Sequence, residues 1–260
     1  MHVQPKKSLG QHFLKDKEIA LRIVNLLKAP DVDIVLEIGP GMGVLTNILL
    51  DRFGEKLHVV EVDPESVKYL QENFPELKDR IYAEDFLKMD LRNKFAGRIA
   101  VIGNYPYNIS SQILFHLLDY TDQVIEIVGM FQREVARRIT IGPGSKEYGI
   151  LSVLIEFFYH REYAFTVSES VFNPPPKVKS GVLRLAKKDQ IPDILKYPRF
   201  AKLVKAAFNQ RRKTLRNSLS GFFEKGSLDS DLLNQRPEQL DLKGFLDLME
   251  LFDSPTFEIR

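Results

Sequence analysis

A glycine-rich corner between two apolar stretches limits most strongly what this chain can fold into. Residues 33–38 are apolar enough for a buried strand, and residues 44–53 have the composition of a helix. The corner reads Glu37-Ile38-Gly39-Pro40-Gly41-Met42-Gly43. Its G-x-G-x-G spacing permits a tight turn and lets a ligand approach the backbone closely. A strand that turns directly into a helix in this way is typical of a parallel α/β sheet.

Apolar runs of strand length alternate with helical stretches over most of the chain. Strands are predicted at residues 33–38, 57–62, 80–83, 99–102, 124–131, 162–167 and 180–185. Helices are predicted at residues 16–28, 44–53, 109–118, 133–139 and 150–158. The alternation predicts an α/β fold with a doubly wound, mostly parallel sheet, and the last two strands close it as an antiparallel hairpin.

The pattern becomes purely helical after this sheet. We therefore expect an α/β domain of residues 1–188 and a small all-helical domain of residues 189–260. Residues 196–216 contain eight Lys or Arg and no Asp or Glu, whereas residues 224–260 contain nine acidic and four basic residues. Such a basic block suits a polyanion, and a solvated helix face is the alternative interpretation.

The composition excludes several kinds of site. There is no cysteine, so disulfides, thiolate metal sites and cysteine nucleophiles are excluded. No apolar run approaches the roughly 20 residues of a membrane span, and the polar residues 1–10 lack the hydrophobic core of a signal peptide. We expect a cytoplasmic protein that does not bind membranes.

The motif Gly103-Asn104-Tyr105-Pro106-Tyr107-Asn108 directly follows the predicted strand at residues 99–102. The carboxyl edge of a strand is where open α/β sheets bind ligands. The pattern Asn-x-Pro-Tyr resembles the active-site motif of methyltransferases that modify exocyclic amino groups. A turn whose Asn caps a helix and whose Tyr belongs to the core is the alternative interpretation.

These residue types suit methyl transfer to an adenine amino group. The lone pair of adenine N6 is delocalised into the ring, so the amine is a poor nucleophile. Two hydrogen-bond acceptors, the Asn104 side-chain oxygen and a backbone carbonyl beside Pro106, would favour a pyramidal nitrogen. Tyr107 offers a face on which a flipped-out base can stack.

Acidic residues follow two further predicted strands. Glu61 and Asp63 lie at the end of the second strand, where an acid suits the hydroxyls of a ribose. We prefer Glu61, because Asp63 precedes Pro64 and suits the cap of the next helix. Asp85, after the third strand, can accept a hydrogen bond from an adenine amino group. An exposed strand-end carboxylate is the alternative for each acid.

Taken together, the motifs resemble those of the ribosomal RNA adenine N6,N6-dimethyltransferase family. A dinucleotide fingerprint needs a glycine where this chain has Val44, so the glycine corner resembles the S-adenosylmethionine loop of class I methyltransferases instead. The resemblance extends over residues 6–219 and includes Gln11-His12-Phe13-Leu14 and Phe172-Asn173-Pro174-Pro175-Pro176. Residues 208–215 match the branch that dimethylates two adjacent adenosines near the 3′ end of small-subunit ribosomal RNA.

The resemblance implies an S-adenosylmethionine-dependent enzyme of ribosome biogenesis. It is expected to act on the small ribosomal subunit as a monomer, without a metal or a covalent enzyme intermediate. The implied cofactor-binding residues are His12, Leu14, Gly39, Gly41, Glu61, Asp85 and Asn104. The implied catalytic residues are Asn104, Pro106, Tyr107 and Phe172, of which Tyr107 and Phe172 would sandwich the adenine. A core Phe that anchors a loop is the alternative interpretation of Phe172. The expected RNA-binding residues are Arg211, Arg212 and Lys213.

Two residues depart from the pattern of the family, and several functions remain open. Tyr105 stands where Leu is usual, and His12 replaces a frequent Asn. The large-subunit ribosomal RNA methyltransferases share the catalytic motifs. A DNA adenine methyltransferase is a weaker alternative, since no segment reads like a duplex-recognition domain. A ribosome assembly factor without catalysis is the non-enzymatic alternative. Arg211 and Arg212 could also pair with acids of the first domain instead of binding RNA.

Overall fold

The computed structural model describes residues 3–28, 31–222 and 230–252. Its strands are β1 (Phe13–Leu14), β2 (Ile34–Ile38), β3 (Leu57–Val60), β4 (Ile81–Tyr82), β5 (Ile99–Asn104), β6 (Val124–Gln132), β7 (Tyr159–Val167), β8 (Phe172–Asn173) and β9 (Ser180–Lys187). Its helices are α1 (Lys17–Leu26), α2 (Val44–Phe53), α3 (Pro64–Asn73), α4 (Leu91–Lys94), α5 (Ser110–Leu118), α6 (Arg133–Thr140), α7 (Ile150–Phe158), α8 (Tyr197–Asn209), α9 (Leu215–Ser218) and α10 (Leu242–Leu251). None of the helices in these residues combines the length and the apolar character that a membrane-spanning segment requires.

The main sheet has the strand order β4-β3-β2-β5-β6-β9-β7. Strand β2 pairs in parallel with β3 and β5, β3 with β4, and β5 with β6, whereas β9 runs antiparallel to β6. This arrangement confirms the predicted mostly parallel sheet with an antiparallel closing edge. Residues 99–102 of β5 have 0% exposure. Because both faces of this strand are covered, it reads as a continuous apolar run rather than an alternating one.

Side-chain caps fix the first turns of two helices. The Asp16 carboxylate accepts hydrogen bonds from the backbone N–H groups of Glu18 and Ile19, at 2.9 and 3.0 Å, where α1 begins. The Asp63 carboxylate accepts from the N–H of Glu65 at 3.3 Å, where α3 begins. The predicted cap at Asp63 is therefore confirmed, and each carboxylate satisfies N–H groups that a helix start leaves without a partner.

A second, two-stranded sheet lies outside the predicted elements. Strands β1 and β8 pair antiparallel, with Leu14 opposite Phe172 and Phe13 opposite Asn173. The N–H of Lys15 extends the ladder by donating to the Val171 carbonyl at 2.9 Å. The motif at residues 11–14 is thereby joined to the proline-rich loop that follows β8. Such short pairings between distant segments leave no periodic signal in the sequence.

The chain divides into two compact units. The first comprises Met1–Arg137 and His160–Lys187, and the second comprises Arg138–Tyr159 and Lys188–Arg260. The domain prediction assigned α7 to the first domain, but the contacts of this helix place it in the second unit. There, the Phe157 ring lies 4.8 Å from the Phe200 ring, between centroids. Residues 224–229 and 253–260 of the acidic stretch lie outside the described residues.

Candidate active site

A pocket opens at the carboxyl ends of β2, β3, β4 and β5, within the first unit. The segments around it come from the chain before β1, the glycine corner, and the turns after β3, β4 and β5. The residues that line it are Ser8, Leu9, Gly10, Gln11, His12, Phe13, Gly39, Gly41, Glu61, Val62, Asp85, Leu87, Asn104, Tyr105, Pro106, Tyr107, Asn108 and Ile109. Eight of the predicted site residues thus meet in one pocket at the sheet edge, as the topology requires. They are His12, Gly39, Gly41, Glu61, Asp85, Asn104, Pro106 and Tyr107.

Glu61 joins the glycine corner to the end of β3. Its side chain is 5% exposed, and its carboxylate accepts hydrogen bonds from the N–H groups of Gly41 at 3.1 Å and Asp63 at 2.9 Å. Burial raises the pKa of Glu61, and these two backbone bonds offset only part of that effect. A carboxylate has about four lone-pair positions, so acceptor capacity remains for a ligand hydroxyl.

Asp63 turns away from the pocket and anchors the N-terminal segment. Besides capping α3, its buried carboxylate accepts hydrogen bonds from Lys6 Nζ at 2.5 Å, Gln11 Nε2 at 3.2 Å and Ser66 Oγ at 3.1 Å. Burial alone would raise the pKa of Asp63, but these bonds outweigh it, so the pKa lies below its usual value. The preference for Glu61 over Asp63 as the pocket acid agrees with this geometry.

His12 and Asn104 hold one wall of the pocket together. The Asn104 Nδ2 group donates to the His12 carbonyl at 2.9 Å, and His12 Nδ1 lies 2.8 Å from the Pro174 carbonyl. Since its amide nitrogen is engaged by the His12 carbonyl, Asn104 keeps Oδ1 as an acceptor. The neighbouring Phe13 ring is one reason why position 41 is a glycine, because a Cβ atom there would lie 2.8 Å from the ring. The backbone φ of Gly41, +56°, is the other.

Tyr107 is fixed at both its hydroxyl and its backbone. The hydroxyl lies 2.5 Å from Ser180 Oγ, and the Tyr107 carbonyl accepts from Ser110 Oγ at 3.2 Å. Burial raises the pKa of Tyr107, and the Ser180 bond partly offsets this. The His12 ring stacks beside the Tyr107 ring, with centroids 5.5 Å apart and an interplanar angle of 29°. His12 is thus the aromatic neighbour of Tyr107.

Phe172 and Leu14 do not line the main pocket. Phe172 is 1% exposed and belongs to the hydrophobic core. Its burial agrees with the alternative of a core Phe that anchors a loop, and its stacking on a base stays a prediction. Leu14 is 5% exposed and lines a smaller adjoining cavity together with Glu37 and Gly39. Both residues are held by the β1–β8 ladder, whose pairing the sequence analysis did not predict.

Val62 and Leu87 are pocket residues that sequence analysis missed. Val62 is 52% exposed, which is unusual for a large apolar side chain beside a buried acid. An adenosine group fits this combination, since its ring could cover Val62 while its ribose hydroxyls meet Glu61. Asp85 accepts the Leu87 N–H at 3.0 Å through Oδ1. Its second oxygen, Oδ2, is 3.8 Å from Lys88 Nζ.

Glu37 is a buried acid beneath the glycine corner. It is 1% exposed, and its Oε2 accepts a hydrogen bond from Thr46 Oγ1 at 2.7 Å. Burial raises the pKa of Glu37 to about 8, although the Thr46 bond opposes the shift. The nearby Glu61 carboxylate adds to the increase. Glu37 is therefore protonated below that pH in the folded protein.

Comparison with known proteins gives consistent matches over nearly the whole chain. A sequence model of the family described as "Ribosomal RNA adenine dimethylase" matches residues 2–252. The chain is 57% identical over 248 residues to "Ribosomal RNA small subunit methyltransferase A" of Parabacteroides distasonis, covering 95% of this chain and 93% of that protein. It is 52% identical over 254 residues to a protein of the same name from Flavobacterium johnsoniae, covering 97% of each.

Two solved structures are similar over most of the chain. A dimethyladenosine transferase from Plasmodium falciparum gives a TM-score of 0.78 at 26% identity, covering 93% of this chain and 98% of that one. The 23S rRNA methyltransferase ErmE gives a TM-score of 0.68 at 26% identity, covering 93% of this chain and 100% of that one.

We predict that Phe172→Ala destabilises the fold. Loss of a buried phenylalanine ring leaves a cavity, so the free energy of unfolding in urea should fall by about 3–5 kcal/mol. Phe165→Ala is the control, because Phe165 is only partly buried against the same core and its loss should cost less. An unchanged unfolding free energy combined with weaker RNA binding would favour the stacking role.

We also predict that Glu37 makes stability fall with rising pH. The folded state retains a proton that the unfolded chain releases above its ordinary pKa of 4.5, so stability is lost between about 4.5 and about 8. Relative to Glu37→Gln, the unfolding free energy of the wild type should decline by up to about 1.4 kcal/mol per pH unit in that window. Urea titrations from pH 5 to 8 measure this, with the exposed Glu55→Gln as control. Parallel pH profiles for the wild type and Glu37→Gln would contradict the burial argument.

Proposed function

Because this chain belongs to the ribosomal RNA adenine dimethylase family, we propose that it methylates two adjacent adenosines near the 3′ end of small-subunit ribosomal RNA. It is an S-adenosylmethionine-dependent methyltransferase, and the proposal concerns which adenosines it modifies and how. The observation that supports it best is the orientation of Asn104, whose amide nitrogen is engaged by the His12 carbonyl at 2.9 Å. Its Oδ1 is thereby kept as an acceptor at the edge of the pocket.

The cofactor end of the pocket would be formed by residues of the glycine corner and the strand ends. When bound, S-adenosylmethionine supplies an electrophilic methyl group. Glu61 would accept hydrogen bonds from the ribose hydroxyls, and Asp85 would accept one from the adenine amino group. Val62 supplies an exposed apolar surface for the adenine ring. Gly39 and Gly41, both at positive φ, let the backbone approach the ligand closely.

The target end of the pocket would activate a weak nucleophile through hydrogen bonds alone. Asn104 Oδ1 and the backbone carbonyl of Tyr105, before Pro106, are the two acceptors for the N–H groups of adenine N6. They favour the pyramidal nitrogen that attack requires. The amine becomes acidic only after transfer, so no strong base is needed. Tyr107 would stack on the base, and its ring already has an aromatic neighbour in His12.

The small-subunit substrate is favoured over the large-subunit alternative by sequence similarity. The relatives named for the small subunit are 57% and 52% identical, whereas the 23S enzyme is 26% identical. The non-enzymatic alternative does not fit a pocket in which Asn104, Tyr107 and Asp85 are all present. We also propose that the enzyme acts as a monomer in the cytoplasm.

We propose that the turn after α8 binds ribosomal RNA through Arg211, Arg212 and Lys213. Arg212 and Lys213 are exposed, and Arg211 Nη2 donates to the Lys146 carbonyl at 2.8 Å. Among the described residues of the second unit, no carboxylate forms an ion pair with these three residues. Three positive charges without an acidic partner in their own unit suit contacts to phosphate.

The first experiment is to map methyl incorporation. Small subunits from cells deficient in the modification are incubated with labelled S-adenosylmethionine, and the modified nucleosides are located by mass spectrometry. We expect N6,N6-dimethyladenosine at two adjacent positions near the 3′ end, and no label in large subunits from the same cells. Label in the large-subunit RNA instead, or cofactor binding without transfer to either RNA, would overturn the proposal.

Asn104→Ala tests the acceptor that carries the proposal. Its single-turnover transfer rate at saturating cofactor should fall by about 10²-fold or more, as expected when a preorganised hydrogen-bond partner is removed. The matched control is Asn73→Ala, because Asn73 Nδ2 also donates to a backbone carbonyl, that of Tyr69 at 2.8 Å, on an exposed helix. A rate near that of the wild type for Asn104→Ala would remove this residue from catalysis.

Replacing Arg211, Arg212 and Lys213 by Gln tests RNA docking. Contacts to phosphate release counterions, so affinity for the small subunit should weaken and the slope of log affinity against log salt should flatten by up to about 3. Cofactor affinity and melting temperature should be unchanged. A triple control removes the same charge from the exposed Lys28, Lys68 and Lys78 in the first unit. An unchanged slope with a lower melting temperature would indicate a structural role.

A further inference from the structure

Tyr105 attaches the end of β5 to β6 at three points. Its backbone N–H donates to the Met130 carbonyl at 3.2 Å, and its hydroxyl donates to the Val128 carbonyl, also at 3.2 Å. Its ring packs against Phe131, with centroids 4.8 Å apart. The side chain is 1% exposed. Burial raises the pKa of Tyr105 far above its ordinary value, so the hydroxyl stays protonated and remains a donor.

Two glycines make room for this ring. Gly103 and Gly129 lie opposite each other in the β5–β6 ladder. A Cβ atom on Gly129 would lie 2.8 Å from Tyr105 Cδ2 and closer still to Cε2. Gly129 does not have a positive φ, so its backbone would tolerate alanine, and the three atoms nearest to the added Cβ all belong to the Tyr105 ring. At Gly103 a Cβ atom would also lie 2.6 Å from the Ile38 carbonyl, so that position is restricted twice.

The ring belongs to the residue that joins the two proposed acceptors of the target amine in the chain. Tyr105 links Asn104 to Pro106, and its own carbonyl is the second acceptor in the proposed reaction. The packing of the Tyr105 side chain therefore helps to fix the position of the Tyr105 backbone carbonyl. Small displacements of such groups are costly, since a misplacement of about 1 Å can slow a reaction by about 10²-fold.

We infer that Tyr105 is a positioning residue whose ring, seated against Gly129 and bonded to Val128, holds the Asn104–Pro106 turn in the geometry for methyl transfer. This inference rests on the proposed function. It assigns a role to the residue that departs from the usual Leu. A leucine has no hydroxyl to reach the Val128 carbonyl and leaves the slot above Gly129 unfilled.

The test is a set of four variants measured by single-turnover methyl transfer at saturating cofactor, beside cofactor affinity and melting temperature. Tyr105→Phe removes the hydroxyl, and its rate should fall by about 3- to 10-fold through partial misplacement of the turn. Gly129→Ala forces the ring out of its slot, and its rate should fall by about 10²-fold. The double variant Tyr105→Leu/Gly129→Ala refills the slot without overlap and should recover at least about tenfold relative to Gly129→Ala. Cofactor affinity should change far less than the transfer rate, because Gly39, Gly41, Glu61 and Asp85 lie outside the displaced turn.

Tyr120→Phe is the fourth variant and the matched control. The Tyr120 hydroxyl also donates from a buried ring to a backbone carbonyl, that of Met89 at 3.3 Å, but Tyr120 does not line the pocket. Its melting temperature should fall as in Tyr105→Phe while its transfer rate stays at the wild-type value. A purely structural Tyr105 would give the same result as Tyr120, and this would overturn the inference. So would a double variant no faster than Gly129→Ala. Failure of the proposed function is distinct, because the wild type itself would then transfer no methyl group to small-subunit RNA.

Discussion

The hydrogen bond from the Asn104 amide to the His12 carbonyl is the contact on which the rest of the site depends. It joins the end of the central strand β5 to the chain segment before β1, and both segments line the pocket. An amide side chain can present either its donor or its acceptor to a ligand. Because the amide nitrogen is engaged at 2.9 Å, the side-chain oxygen is the group left to accept a hydrogen bond from a ligand. The same contact therefore joins two segments that line the pocket and leaves a hydrogen-bond acceptor in the Asn104 side chain.

The parts of the fold that sequence analysis predicted correctly are local in the chain. An apolar run followed by glycines at positive φ specifies the β2–α2 corner within a few residues. Asp16 and Asp63 cap the helices that follow them directly, and a cap needs only its own first turn. The acids Glu61 and Asp85 each directly follow a predicted strand, so their position at a strand end is also local information. Their meeting in one pocket follows because parallel strands bring their carboxyl ends to one edge of the sheet.

The features that it missed all depend on contacts between distant segments. Nothing near Lys6 or Gln11 indicates that both donate to Asp63. The burial of Phe172 follows from the pairing of β1 with β8, and a strand of two residues has no periodicity to detect. The assignment of α7 to the second unit also depends on a distant contact, because Phe157 of this helix packs against the Phe200 ring. Function could be inferred from motif order, whereas the exposure of each site residue required the structure.

The β1–β8 ladder has a consequence for how the protein is made. The segment at residues 11–14 leaves the ribosome early, but the residues that hold it, Phe172 and Asn173, are synthesised long afterwards. Strand β9, which inserts between β6 and β7, emerges later still. Contacts of such wide sequence separation form late, because the intervening loop must be closed first. A nascent chain therefore carries its glycine corner and its Asn104 motif without a finished pocket. The contacts that fix residues 13 and 14 and the Tyr107 hydroxyl form only after β8 and Ser180 of β9 have been synthesised.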